Sequence, residues 1–193
     1  MRKRRWFSAL IFVMPAVLAV ATFAVAGDDG GRQRFRFDNL TGYQEPPSIS
    51  TTGTGTFEAS LDGDVISYRL TYSALEGGNV LQAHIHFGQR SVNGGIIAFL
   101  CSNLGNGPAG TPVCPQPAAG ATVTVEGTIE PADIVGPSAA TGGQGIQPGS
   151  FAEAVRALRA GVVYANIHTT NWPGGEIRGQ VIERGRQGDN DDD

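Results

Sequence analysis

The sequence predicts an all-β antiparallel domain, a β-sandwich or Greek-key barrel of about eight strands with one short helix. Three observations carry this. Apolar and polar residues alternate with period two in segment after segment. Clusters of Gly, Pro, Asn and Asp separate those segments. No strand-helix-strand alternation of the kind a parallel sheet needs is present.

Taken in order, residues 33–39 alternate Phe35 and Phe37 with Arg34, Arg36 and Asp38, as a half-buried strand does. Pro46 and Pro47 lack amide donors, so residues 41–47 read as an extended loop or edge segment. Residues 53–61 and 64–73 are the clearest pair of strands, joined by Asp62-Gly63, a dipeptide suited to the positive φ angles of a tight hairpin turn. Residues 80–87 and 96–101 read as strands and 102–120 as a Gly- and Pro-rich loop. Residues 121–129 carry β-branched Val123, Val125 and Ile129 and form another strand, and 131–149 is again loop. Ser150 with Glu153 three residues on is a capping-box signature. Phe151, Ala154, Val155 and Leu158 give the helix that follows an apolar face, and Gly161 ends it. Residues 162–169 and 176–183 complete the strands.

The ends read differently. Met1 to Arg5 is basic, Trp6 to Phe23 is apolar, and Ala24-Val25-Ala26 offers a small-residue cleavage pattern. Residues 1–26 therefore read as a signal peptide cleaved after Ala26, with an uncleaved membrane anchor as the alternative. Residues 27–32 read as a linker, 33–183 as one domain, and 184–193, which ends Asn190-Asp191-Asp192-Asp193, as a disordered acidic tail. The expected location is secreted or periplasmic, with no transmembrane span after signal removal. Of 14 basic residues four leave with the signal, so 10 remain against 18 acidic ones, a net charge of −8. That balance disfavours nucleic acid and anionic membranes as partners. Two cysteines, Cys101 and Cys114, read as one disulfide in an oxidising compartment, stabilising by about 3 kcal/mol for a loop of that size. Free thiols or soft metal ligands are the alternative.

Strand parity defines a polar face. Gln82, His84 and His86 share one side of their strand, Tyr164, Asn166 and His168 one side of theirs, and Glu176, Arg178 and Gln180 one side of the last. If these strands are neighbours, all three histidines of the chain lie on one polar surface. Two imidazoles at i and i+2 with a third from another strand form a three-nitrogen set suited to copper or zinc, with Gln82, Asn166, Glu176, Arg178 and Gln180 as orienting partners. The alternative is a polar sheet face whose histidines serve hydrogen bonding or contact with a partner. The chain has no Gly-x-Ser-x-Gly elbow, phosphate-binding glycine loop or His-Glu-x-x-His motif, and Glu45, Glu76 and Glu176 lack the spacing of a catalytic carboxylate pair.

Three ordered blocks resemble the chordin (CHRD) domain. Leu40-Thr41-Gly42-Tyr43-Gln44-Glu45-Pro46-Pro47 resembles its opening. Ala83-His84-Ile85-His86-Phe87-Gly88 with Asn93-Gly94 resembles its centre. Tyr164-Ala165-Asn166-Ile167-His168-Thr169 with Pro173-Gly174-Gly175-Glu176-Ile177-Arg178-Gly179-Gln180 resembles its ending. The resemblance implies an exported, β-rich extracellular module, most simply a non-enzymatic binding or structural one. Its ligand would be an extracellular protein or surface component. The His-Ile-His-Phe-Gly run also resembles the copper strand of Cu/Zn superoxide dismutase, a family that uses more histidines than the three present here.

Overall fold

The computed structural model describes residues 32–137 and 143–182, so the expected signal peptide, most of the linker and the acidic tail lie outside the described residues. The strands are β1 (Gln33–Arg36), β2 (Leu40–Thr41), β3 (Thr54–Asp62), β4 (Val65–Ser73), β5 (Val80–Phe87), β6 (Gly95–Ser102), β7 (Val123–Ile129), β8 (Val163–Thr169) and β9 (Ile177–Gln180). One helix, α1 (Phe151–Arg159), precedes β8. All pairings are antiparallel, in the order β6-β5-β8-β9-β2-β3-β4-β7, with β1 also on β3. The sheet curls into a nearly closed barrel, which decides between the two architectures the sequence left open.

The extra strand over the expected eight is β2, from a stretch read as loop. Leu40 and Thr41 pair with Gly55 and Thr54 on one side, and Thr41 with Arg178 on the other. The segment from β1 through Phe37 to β2 thus stitches β3 to the last strand, and Phe37 bridges Val181. The prolines did not exclude helix altogether, because a 3-10 turn forms at Gly42–Gln44, just before Pro46.

The hairpin of β3 and β4 pairs without a slip from Thr54↔Ser73 to Asp62↔Val65, and Gly63 takes the left-handed φ of +56° that the turn requires. Its alternation is visible in burial: Phe57, Ala59 and Leu61, then Ile66, Tyr68, Leu70 and Tyr72, all point into the core. Helix α1 presents Ala154 and Leu158 to the same apolar space as Phe57, Ile66, Ile85 and Ile129. Its expected capping box does not form: the Ser150 side chain makes no cap hydrogen bond, and Glu153 pairs with Arg156 instead. Packing of the apolar stripe, rather than capping, holds this short helix. The cysteines are bonded, Cys101 to Cys114, and both are buried. Asn103 completes the junction, donating to the Cys114 and Val80 carbonyls.

Candidate functional site

Strands β5, β8 and β9 are consecutive neighbours, the condition on which a shared polar face depended. Ala83, Ile85, Val163, Ala165, Ile167 and Ile177 face the apolar core. On the other face His84 sits opposite Asn166, His86 opposite Tyr164, and Asn166 opposite Arg178. Register shifts in β5 against β6, between Ala83 and His84 and between Ile85 and His86, break regular pairing at the histidines.

This face is not a surface. His84, His86, His168, Asn166, Arg178 and Gln180 are all buried, His84 completely. Every residue of β8 is buried on both sides, so the expectation of a solvent-facing polar sheet is corrected. Loops form the covering layer. Arg178 donates to the Val92 and Gln89 carbonyls, Gln180 donates to those of Gly88 and Gly161, and Asn93 ties this loop to the Pro46 carbonyl of another. Alternation along a strand fixes which side chains share a face but carries no record of what later folds over it.

Inside that layer the three imidazoles converge, each able to place one nitrogen within 4.8 Å of the others. Their protonation follows from their partners. His86 Nδ1 lies 3.0 Å from the Gly94 carbonyl and His168 Nδ1 lies 3.0 Å from that of Pro173. A carbonyl only accepts, so both Nδ1 atoms carry the hydrogen and both Nε2 atoms carry a lone pair. His84 Nδ1, 3.1 Å from His168 Nε2, must then be the donor of that bond, which leaves a lone pair on His84 Nε2 as well. Neither His84 Nε2 nor His86 Nε2 has a partner, although both are buried.

The field around them favours the neutral rings. Burial lowers the pKa of His84 to about 2, helped by His168 and His86. Burial lowers that of His86 to about 3, helped chiefly by His168, with the Gly94 bond opposing. His168 falls to about 4, again through burial. Phe99 meets His84 edge to face at 4.5 Å, and Tyr164 stacks on His86 at 4.8 Å. The Arg178 guanidinium lies 3.5 Å from the centre of the Tyr164 ring, so cation, phenol and imidazole form one pile.

Two of the expected orienting residues spend their side-chain hydrogen bonds on loops. Gln82 sits opposite His168 on β8 but is only half-buried, and its side-chain oxygen accepts from Asn106. Glu176 is fully buried, but its carboxylate accepts from the Thr51 hydroxyl at 2.7 Å and from the amides of Glu76 at 2.7 Å and Gly77 at 3.0 Å. It is a clasp for two loops. Conversely, sequence reasoning set aside Glu45, which is buried in the same polar layer with Oε1 unpartnered. Burial raises its pKa to about 7, with Arg178 and the Asn166 amide pulling it partly back. Gly175, at φ +133°, leaves room for this group: a Cβ there would stand 2.6 Å from Asn166 Oδ1 and 2.7 Å from Glu45 Oε1. The only sequence signal for Glu45 was its place in the first of the three motif blocks.

Nothing matches this chain among curated proteins or among solved structures. The CHRD domain model matches residues 37–181, a span that includes all three motif blocks, the three histidines and Glu45. That assignment supports a module of non-enzymatic kind, and over most of its length this chain belongs to the CHRD domain family.

Proposed function

We propose that this is an exported CHRD module that holds one copper or zinc ion inside its covered sheet face, on His84, His86 and His168. The observation that supports this is the convergence of three neutral imidazoles with two unpartnered buried lone pairs. A buried polar nitrogen without a partner is costly, and native folds rarely leave one so. A cation that prefers imidazole supplies the missing partner. The donors are suited to it: metal–nitrogen bonds of about 2.0–2.1 Å in a tetrahedral site set nitrogens about 3.3 Å apart. The three rings already place one nitrogen each within 4.8 Å of the others, so small ring movements reach that spacing. The backbone carbonyls of Gly94 and Pro173 orient two of the rings in the way that supports metal-ligating histidines generally. Export itself is supported by the buried disulfide, which suits an oxidising compartment.

Burial also bears on the rival reading of the histidines as a partner-binding surface. A protein or surface component that binds this module must dock somewhere other than on a face already covered by loops.

The test is calorimetric titration of purified protein spanning residues 27–193 with copper and with zinc, beside His84→Ala/His86→Ala and the milder His168→Asn. Stoichiometric binding that is lost in both variants, with the β-sheet circular dichroism spectrum retained, supports the reading. Absence of binding tighter than millimolar in the wild-type protein overturns it, whatever the variants do.

A further inference from the structure

The β1–β3–β4 side of the barrel presents a different chemistry, far from neutral in a chain that is acidic as a whole. Arg34 and Arg36 are exposed on β1, at i and i+2 and so on one face, and Arg32 continues the row just before the strand. Phe35 between them turns into the core. Strand register sets Arg34 beside Ser60 and Ser60 beside Ser67, and sets Arg36 beside Glu58 and Glu58 beside Arg69. These side chains line an open groove of about 450 Å³.

The groove carries four arginines against one lining carboxylate, Glu58. Arg69 is neutralised by Glu126 at 2.6 Å on the next strand. Arg32, Arg34 and Arg36 take part in no ion pair among the described residues. Arg32 only reaches the Ser67 hydroxyl, at 3.5 Å. Three like charges spaced two residues apart repel one another, and an ordinary solvated face of an acidic protein would intersperse the opposite sign. Here acidic residues outnumber basic ones 18 to 14 in the full chain, and the three cations still stand side by side.

We infer that this groove is an interaction surface for a linear acidic polysaccharide. Guanidinium groups present paired N–H donors that match carboxylates and sulfates bidentately, and Ser60 and Ser67 at the floor can bond sugar hydroxyls. The row from Arg32 to Arg36 spans four residue steps, about 13 Å at ~3.3 Å each, enough for a few sugar rings in line. Nucleic acid fits less well, because the two aromatic rings of the groove, Phe35 and Tyr68, are buried in the core and leave no stacking platform. This surface is separate from the histidine layer, and the inference holds whether or not a cation binds there.

The experiment uses oligogalacturonate as the acidic probe, neutral dextran oligosaccharide and single-stranded oligo-dT as comparisons, and calorimetry or thermophoresis as the readout. The wild-type protein is expected to bind oligogalacturonate with an affinity that falls as salt rises, and to ignore dextran. Arg34→Ser/Arg36→Ser should weaken binding at least tenfold, and Arg69→Ser, on a separate strand, should weaken it less. All four arginines are exposed, so circular dichroism should be unchanged. No binding of oligogalacturonate overturns the inference, as does undiminished binding by the double variant. Equal or tighter binding of oligo-dT overturns it too, by showing a surface selective for charge alone.

Discussion

Acidification offers the sharpest check on the covered histidine layer. Each histidine has a folded-state pKa below its ordinary value of 6.5, so in the unfolded chain it takes up a proton at a pH where the folded one refuses it. The unfolded state then binds more protons, and stability falls as pH drops below about 6.5. Between pH 6.5 and pH 5.0 three such groups together remove about 5 kcal/mol, at about 1.4 kcal/mol per unit for each fully engaged site. Glu45 acts in the opposite sense. Its folded pKa is raised to about 7, so it contributes stability below its unfolded value of 4.5, a contribution lost as pH rises through 7. Over the same interval it returns about 2 kcal/mol. The net expected loss is about 3 kcal/mol, or a melting temperature lower by roughly 6–12 °C for a domain of this size. Thermal unfolding of metal-free protein followed by circular dichroism at the two pH values measures it. Proton NMR of the imidazole Cε1 resonances assigns it. A melting temperature that is flat or rises towards pH 5.0 refutes the reasoning, as does any histidine titrating near pH 6.5 in the folded protein.

Two substitutions separate the histidine layer from the loops that cover it. Gly175→Ala drives a methyl group into Asn166 and Glu45 at a φ that side chains rarely adopt, and should destabilise by on the order of 3 kcal/mol in denaturant titration. Glu176→Gln replaces a buried carboxylate that accepts from one hydroxyl and two amides, and should cost about 3 kcal/mol while leaving copper or zinc stoichiometry unchanged. If that variant lost the cation, Glu176 would belong to the site after all.

Much of the barrel was legible because its signals are local. Asp62-Gly63 between two alternating runs specifies a hairpin by turn chemistry alone, and β5 falls on the residues expected of it. The helix was found from its apolar stripe even though the capping box behind Ser150 does not form, since burial of Phe151, Ala154 and Leu158 suffices. β2 was missed because two residues carry no period, and its pairing on both sides comes from strands distant in sequence. In the site, parity grouped His84, His86 and His168 correctly, but it could not say that Arg178 and Gln180 would spend their hydrogen bonds pulling a loop over them. Gln82 had the right parity and sits opposite His168 in the pairing with β8, but its side-chain oxygen is taken by Asn106 of the loop after β6, a partner no strand rule names. Glu45 lies on a loop, outside the reach of any strand rule, and only tertiary contact places it beside Asn166.

The covering layer has a kinetic consequence. It is made of turns and single hydrogen bonds to loop carbonyls rather than of a continuous ladder, so it can open at a smaller free energy than the barrel beneath it. Traffic to the imidazoles is then paced by the opening of residues 88–94 and their neighbours, not by diffusion to a surface. A guest inside would exchange slowly and resist a competing chelator, with a residence time tuned by Arg178 and Asn93, neither of which needs to touch it.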